Sequence, residues 1–148
     1  MTSQYRLQRR VQFYETDLAG IVHFSWFFRY MEEAEHAMWR AAGLKIATAG
    51  EEVGFPRLSA SCDFHAPLHF EDEFEVWIRV AAITRRTIRY TCLITCGQTK
   101  IATGALAMAC VSKRPGEPMK AIDIPPEIAA RFEVAPGGEP EADMDTVT

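Results

Sequence analysis

The sequence of 148 residues holds no apolar run near the ~20 residues that span a bilayer, which excludes a membrane-crossing helix. Its first residues, Met1-Thr2-Ser3-Gln4-Tyr5-Arg6, carry no apolar segment behind a basic one. No signal peptide is expected, and a cytoplasmic location follows. There is no CxxC pair among the four cysteines Cys62, Cys92, Cys96 and Cys110, so they read as reduced core thiols. Cys62, His65 and His69 do not make a metal set, because Pro67 breaks the stretch and no second cluster stands nearby. A long basic run is also missing. The net charge of −4 comes from the end of the chain, where Glu133, Glu139, Glu141, Asp143 and Asp145 face no base after Arg131. Without those five acids the rest of the chain carries +1, which argues against nucleic acid as a partner. GxSxG, HExxH, GxxxxGK[ST] and GxGxxG are absent, as are internal repeats.

What is present is an ordinary globular balance, with 48% hydrophobic and 24% charged residues, at a length that suits one domain. Tyr5, Leu7, Val11 and Phe13 alternate with Arg6, Gln8, Arg10 and Gln12, and Arg9 interrupts the apolar side. That period predicts a half-buried strand. A polar loop, Tyr14 to Gly20, follows. Phe24, Phe27, Met31, Ala34, Met38 and Ala41 then recur at steps of three and four, the single stripe of a helix. Its length is about 17 residues, or roughly 26 Å. Ser25 is its expected N-cap, Gly43 its C′ residue, and Arg29–Glu33 an ion pair four apart.

From Arg57 the period returns to two. Strands are expected from Leu58 to Ala66, from Phe74 to Val80 and from Ile88 to Cys96. The small apolar run Ile101–Val111 reads as a strand buried on both faces, where Gly104 and the alanines admit a close helix. Pro125-Pro126 introduces a short helix to about Phe132. The chain therefore divides into a domain over 1–132 and an acidic, disordered tail over 133–148. The fold class is α+β. One helix covers one sheet face, and the other needs a partner or the tail.

Asp17 is the outstanding candidate for chemistry. It lies between a strand and the start of the long helix, among Phe13, Tyr14, Ile21, Val22 and Phe24. A carboxylate there stands near the free N–H groups of a helix N-terminus, which can hold a developing oxyanion. The same position also suits a plain turn or capping residue.

The segment Tyr14-Glu15-Thr16-Asp17-Leu18-Ala19-Gly20-Ile21-Val22-His23-Phe24, with Trp26-Phe27-Phe28 and Met31-Glu32-Glu33-Ala34, resembles the hotdog-fold acyl-CoA thioesterases of the 4-hydroxybenzoyl-CoA thioesterase family. His65-Ala66-Pro67 with Glu71 to Val76, and Lys120 through Pro125, continue the likeness over roughly residues 5 to 132. The resemblance implies a long central helix wrapped by a curved antiparallel sheet of about five strands. It implies a homodimer or homotetramer with active sites at subunit interfaces. It also implies hydrolysis of an acyl-CoA thioester with no cofactor, since coenzyme A is part of the substrate. Asp17 is then the nucleophile or general base, the N–H of Phe24 the oxyanion donor, and Gly20 the residue that shapes the loop.

Two departures stand out. Many relatives carry His or Tyr where this chain has Phe24. His23 comes one residue earlier, a rotation of ~100° at a helix start, so it is a secondary catalytic candidate. Glu35 stands where relatives often have Arg. Glu32 and Glu33 read as solvated or interface residues, and Ser25 as a cap rather than a nucleophile. Exposed bases at strand ends, Arg85, Arg86, Lys113 and Arg114, suit either the phosphates of coenzyme A or simple solubility. Tyr14 and Thr87 complete the candidate substrate contacts. Competing readings are hydration or dehydration of an acyl thioester, and a non-catalytic acyl-thioester binding protein.

Overall fold

In the computed structural model, which describes residues 1–46 and 52–137, β1 (Gln4–Arg10) leads into a 3-10 turn (Phe13–Glu15) and the long helix α1 (Trp26–Ala41). After it come β2 (Val53–Gly54), β3 (Arg57–Phe64), β4 (Glu73–Ile83), β5 (Thr87–Cys96), β6 (Thr99–Ala109), β7 (Val111–Ser112), β8 (Lys120–Ala121) and α2 (Pro126–Ala129). Five strands pair antiparallel in the order β1-β4-β5-β6-β3. Register shifts at Arg57/Ser59, Val80/Ala82 and Ile94/Thr95 add local bends to this sheet. The long helix packs chiefly against β1 and β4. This is the expected hotdog arrangement.

The inner face of the sheet presents Phe74, Val76, Ile78 and Val80 from β4, and Ile88, Tyr90, Cys92 and Ile94 from β5, all buried. Against them α1 turns Phe27, Tyr30, Met31, Ala34, Met38 and Trp39. Each fully buried aliphatic or Phe side chain here contributes roughly 1.5–3 kcal/mol. The stripe read from the sequence thus holds in its middle and fails at its ends. Phe24 is 62% exposed and precedes the helix, and Ala41 is exposed while Ala42 is buried.

Other expectations are corrected. Phe13 is 73% exposed because the chain leaves β1 at Arg10 and turns. The run after Ile101 breaks at Cys110, whose N–H bonds Arg86 C=O, and a separate small sheet β2-β7-β8 forms. Its two-residue strands are too short to leave a period in the sequence. Residues 133–135, read as tail, are tied down. The Glu133 N–H donates to Thr2 C=O, the Ala135 N–H donates to Val80 C=O, and Ala135 is buried. Residues 138–148 of that tail lie outside the described residues.

Gly104 shows why β6 carries small residues. It pairs with Cys62 on one side and Cys92 on the other. A Cβ there would collide with Met31 Sδ and come within 3.0 Å of both Met31 Cε and the Ser61 carbonyl oxygen. Met31 can swing aside, but the neighbouring strand cannot. Gly104→Val is therefore expected to destabilise the fold by about 1–3 kcal/mol. Urea unfolding measures this, and Met31→Ala in the same chain should recover only part of the loss. Unchanged stability in Gly104→Val would contradict the close approach.

Candidate active site

The loop between β1 and α1 is a narrow hairpin. Thr16 and Val22 form a bridge, the Asp17 N–H donates to Ile21 C=O (2.9 Å), and the Gly20 N–H donates to Asp17 C=O (2.9 Å). Gly20 has φ +81 with open space around it, so backbone conformation rather than crowding calls for glycine. One carboxylate oxygen of Asp17, Oδ1, accepts the Ala19 N–H at 2.9 Å. Among the described residues the other oxygen has no hydrogen-bond partner, and neither does the Phe24 N–H.

Asp17 and Phe24 meet in one cleft of ≈ 470 Å³, walled by Ile21, Val22, Phe27 and the segment Phe64-His65-Ala66-Pro67. The loop's outgoing arm is fixed to that segment's continuation, where the Val22 N–H donates to Leu68 C=O (2.8 Å) and Ile21 bridges His69. Sequence reasoning missed the far wall. Its one signal is Pro67, three residues past the end of β3, which keeps the strand from continuing.

Other candidates fall elsewhere. His23 is exposed, stacks on Phe24 (4.6 Å between centroids) and shares a 2.8 Å hydrogen bond with Ser25 Oγ. It does not line the cleft, and Ser25 makes no capping bond. Tyr14 is 68% exposed and packs on Trp26, also outside the cleft lining. Arg85 and Arg86 both reach Asp123 at 3.2 Å, and Thr87 closes the β4–β5 turn through Thr84. Across β6, Thr87 faces Ala109 and Phe64 faces Ala102. That separation is roughly 24 Å at ~3.4 Å per residue, so this turn and the cleft occupy opposite ends of the sheet. His65 Nε2 bonds Thr103 Oγ1 (3.2 Å) and His69 faces Asp72 (3.6 Å), so the two imidazoles serve different partners. Burial pushes the Cys62 thiol up to about 11, with Asp63 adding to it, which leaves no thiolate at neutral pH.

Beneath the loop lies an ionic network that sequence reasoning did not find. Glu15 is fully buried. Its Oε1 accepts hydrogen bonds from Arg9 Nη1 (2.8 Å), the Gln12 N–H (2.8 Å) and the Tyr30 hydroxyl (2.9 Å). Arg9 also pairs with Glu33 (2.7 Å) and lies over the Tyr30 ring at 4.6 Å. Glu33 is therefore taken by β1, not by Arg29 as the spacing suggested. Arg29 sits over Trp26 instead. Burial by itself pushes the Glu15 carboxyl up, but Arg9, the Gln12 N–H and Tyr30 together outweigh it and hold the group below its ordinary 4.5. Burial, then Glu15, keeps the Tyr30 phenol protonated well above its usual range. A second buried acid, Glu35, accepts two hydrogen bonds from Arg57 (2.8 and 3.1 Å) at the far side of the helix. Glu32 lies 3.8 Å from the same guanidinium.

A family profile described as the Thioesterase-like superfamily matches residues 11–132. A protein of Aquifex aeolicus (strain VF5) named "Putative esterase" is 41% identical over 90 residues, covering 59% of this chain and 69% of that protein. A 1,4-dihydroxy-2-naphthoyl-CoA hydrolase of Synechococcus elongatus is 24% identical over 115 residues, or 76% of this chain and 85% of that one. Among solved structures, a protein of Aquifex aeolicus superposes with a TM-score of 0.80 at 30% identity, over 87% of this chain and 99% of the other.

The depressed Glu15 carboxyl makes stability depend on pH in a defined direction. Its contribution is present above 4.5 and is lost as the pH falls through the lower folded-state value. Glu15→Gln is expected to cost about 3–5 kcal/mol at neutral pH, because it breaks a buried ion pair. The gap between wild type and Glu15→Gln should narrow below pH 4.5. Denaturant titrations across that range measure it, and a gap that stays constant would count against an ionised Glu15.

Proposed function

The chain belongs to the thioesterase-like superfamily, and from that premise we propose that it hydrolyses acyl-CoA thioesters to free acid and coenzyme A in the cleft shared by Asp17 and Phe24. The observation that carries this reading is the pairing itself. One cleft is lined by Asp17, whose carboxylate keeps an uncommitted oxygen, and by Phe24, whose backbone N–H ahead of the helix has no acceptor among the described residues. A thioester carbonyl is already reactive. It needs an oxygen nucleophile, or a base for water, and a donor for the oxyanion.

In this reading Asp17 attacks the carbonyl carbon or takes a proton from the attacking water. The electron pair moves to the carbonyl oxygen, which the Phe24 N–H holds, and collapse of that intermediate expels the coenzyme A thiolate. If Asp17 attacks, water then cleaves the resulting anhydride. Gly20 keeps the loop in the conformation that presents Asp17.

The walls support an aromatic acyl group. Phe24, Phe27 and Phe64 line the cleft with Pro67, Ile21 and Val22, and flat rings stack well on such surfaces. The relative from Synechococcus elongatus is named for a naphthoyl thioester. Arg85 and Arg86, at the other end of the sheet, suit the phosphates at the far end of coenzyme A. A second reading, hydration of an unsaturated acyl thioester, draws on His65, an imidazole that lines the same cleft.

Assembly belongs to the same proposal. Leu18, Phe24, Leu58, Phe64, Phe13 and Phe70 are all about half exposed or more. Phe24 and Phe64 line the cleft, and β3 is an unpaired sheet edge. Apolar surface of this extent around one site is what a second copy would cover. Sedimentation at micromolar concentration is expected to give at least twice the 16.7 kDa chain mass, and a monomer would contradict the assembly.

The activity is tested by free-thiol release from a panel of aryl and alkyl acyl-CoAs. Asp17→Asn keeps the shape and removes the charge, and turnover should fall on the order of 10²–10⁴-fold. Hydration would consume an enoyl-CoA without releasing thiol, so an enoyl-CoA added to the panel, followed by loss of its conjugated absorbance, separates the two reactions. Thiol release by Asp17→Asn at the wild-type rate would sink the role of Asp17.

A further inference from the structure

We infer that Glu15 is a positioning residue for Asp17, clamped between Arg9 and Tyr30 so that the loop is held at a fixed place against the helix start. The inference rests on the reading of Asp17 given above. Glu15 does not line the cleft, so it acts without touching substrate.

The geometry separates two anchors. The outgoing arm of the loop is tied at Val22 and Ile21 to the chain after β3. The incoming arm is tied at Glu15 through both its main chain and its side chain, after Val11, which exchanges backbone hydrogen bonds with Glu71 and Asp72, and Tyr14, which packs on Trp26. The Glu15 carbonyl accepts the His23 N–H at 2.9 Å, which closes the hairpin immediately before Phe24. Its carboxylate accepts from Arg9 on β1 and from Tyr30 on α1. Tyr30 is six residues past Phe24, or roughly 9 Å along the helix. Glu33, one turn further, holds Arg9 from the other side. Loop, strand and helix therefore meet at one carboxylate. Between that clamp and the tip, Asp17, Leu18, Ala19 and Gly20 are exposed. The tip's backbone hydrogen bonds run within the hairpin, from Asp17 to Ile21 and from Gly20 to Asp17, so a shift at Glu15 passes to Asp17.

A clamp of this kind fixes the separation between the Asp17 carboxylate and the Phe24 N–H, the two groups that must face the same carbonyl. Small displacements of the Asp17 carboxylate cost turnover more than affinity, because the cleft walls at Phe27, Phe64 and Pro67 lie off the loop. The fully buried carboxylate also resists movement. Leaving its place would strand the Tyr30 hydroxyl without an acceptor and take from Arg9 one of its two carboxylates.

Tyr30→Phe tests this with one oxygen removed and the ring kept in the core. Kcat is expected to fall about tenfold with KM within about twofold of wild type. Amide exchange at Asp17, Gly20 and His23 should speed at least about tenfold, while amides in β5 and β6 keep their protection. In an Asp17→Asn background, Tyr30→Phe should cause no further loss of turnover, since the two act as one unit. Glu33→Gln, a change at a half-exposed side chain that frees one side of Arg9, should shift kcat and loop exchange in the same direction by less. A crippled Asp17→Asn alongside Tyr30→Phe with wild-type kcat and wild-type loop exchange would overturn the positioning role alone. An equal loss from Tyr30→Phe in both backgrounds would do the same, marking a general structural effect. Wild-type turnover in Asp17→Asn would remove the site reading and this inference with it.

Discussion

A carboxylate without solvent contact organises this half of the molecule. Taking Glu15 out of water carries a penalty of several kcal/mol, and only close, well-aligned donors offset it. Arg9, the Gln12 N–H and Tyr30 provide them at 2.8–2.9 Å. Each donor comes from a different piece of chain: β1, the turn after it, and α1. The requirement that all converge is a stronger constraint on relative placement than apolar contact, which tolerates sliding. Glu35 repeats the device on the other flank of the helix, where Arg57 at the start of β3 satisfies it. The helix is thus pinned to the first strand of the sheet at Tyr30 and Glu33, and to the last at Glu35. Between these pins its middle packs by ordinary burial, down to the close approach at Gly104.

Much of this was legible as periodicity. The steps of three and four from Phe27 to Met38 and the alternations through β4 and β5 found the helix and the central strands. Both rest on long faces that meet one uniform environment. The ends were not legible, because a segment such as Phe24 or Phe13 obeys the loop it enters rather than the period it leaves. The proposed roles of Asp17 and Gly20 came only through resemblance, since a turn carboxylate and a catalytic one read alike in a single chain.

The buried network had left a trace. Arg9 falls on the inward side of β1, in phase with Tyr5 and Leu7, and a base there requires an acid partner. The parity of the strand pointed to that partner's existence. Its identity was hidden because Glu15 and Glu33 come from a loop and a helix whose placement is tertiary. The same holds for Phe64 and His65, which reach the cleft only once β3 has paired with β6. Arg85 and Arg86 show the same dependence on pairing. Charge at a strand end suggests a ligand, but register alone decides which end of the sheet it occupies.

The cleft poses one further physical demand. An oxyanion is best held where water does not compete for the same donor. In a single chain Asp17 and Phe24 are both exposed, and the apolar side chains around them face solvent. The helix cannot close the site, because its buried face is already committed to the sheet through Tyr30, Met31 and Trp39. The loop cannot close it either, since both arms are tied, one at Glu15 and the other at Val22. Neither of these described elements excludes water, and the substrate or a second copy of the chain would do so on the proposed reading. An aromatic acyl group seated on Phe24, Phe27 and Phe64 would cover part of the opening, and a second subunit along β3 would cover the rest. On the proposed reading catalytic competence and assembly depend on the same apolar surface, and a change that polarises it should weaken both together.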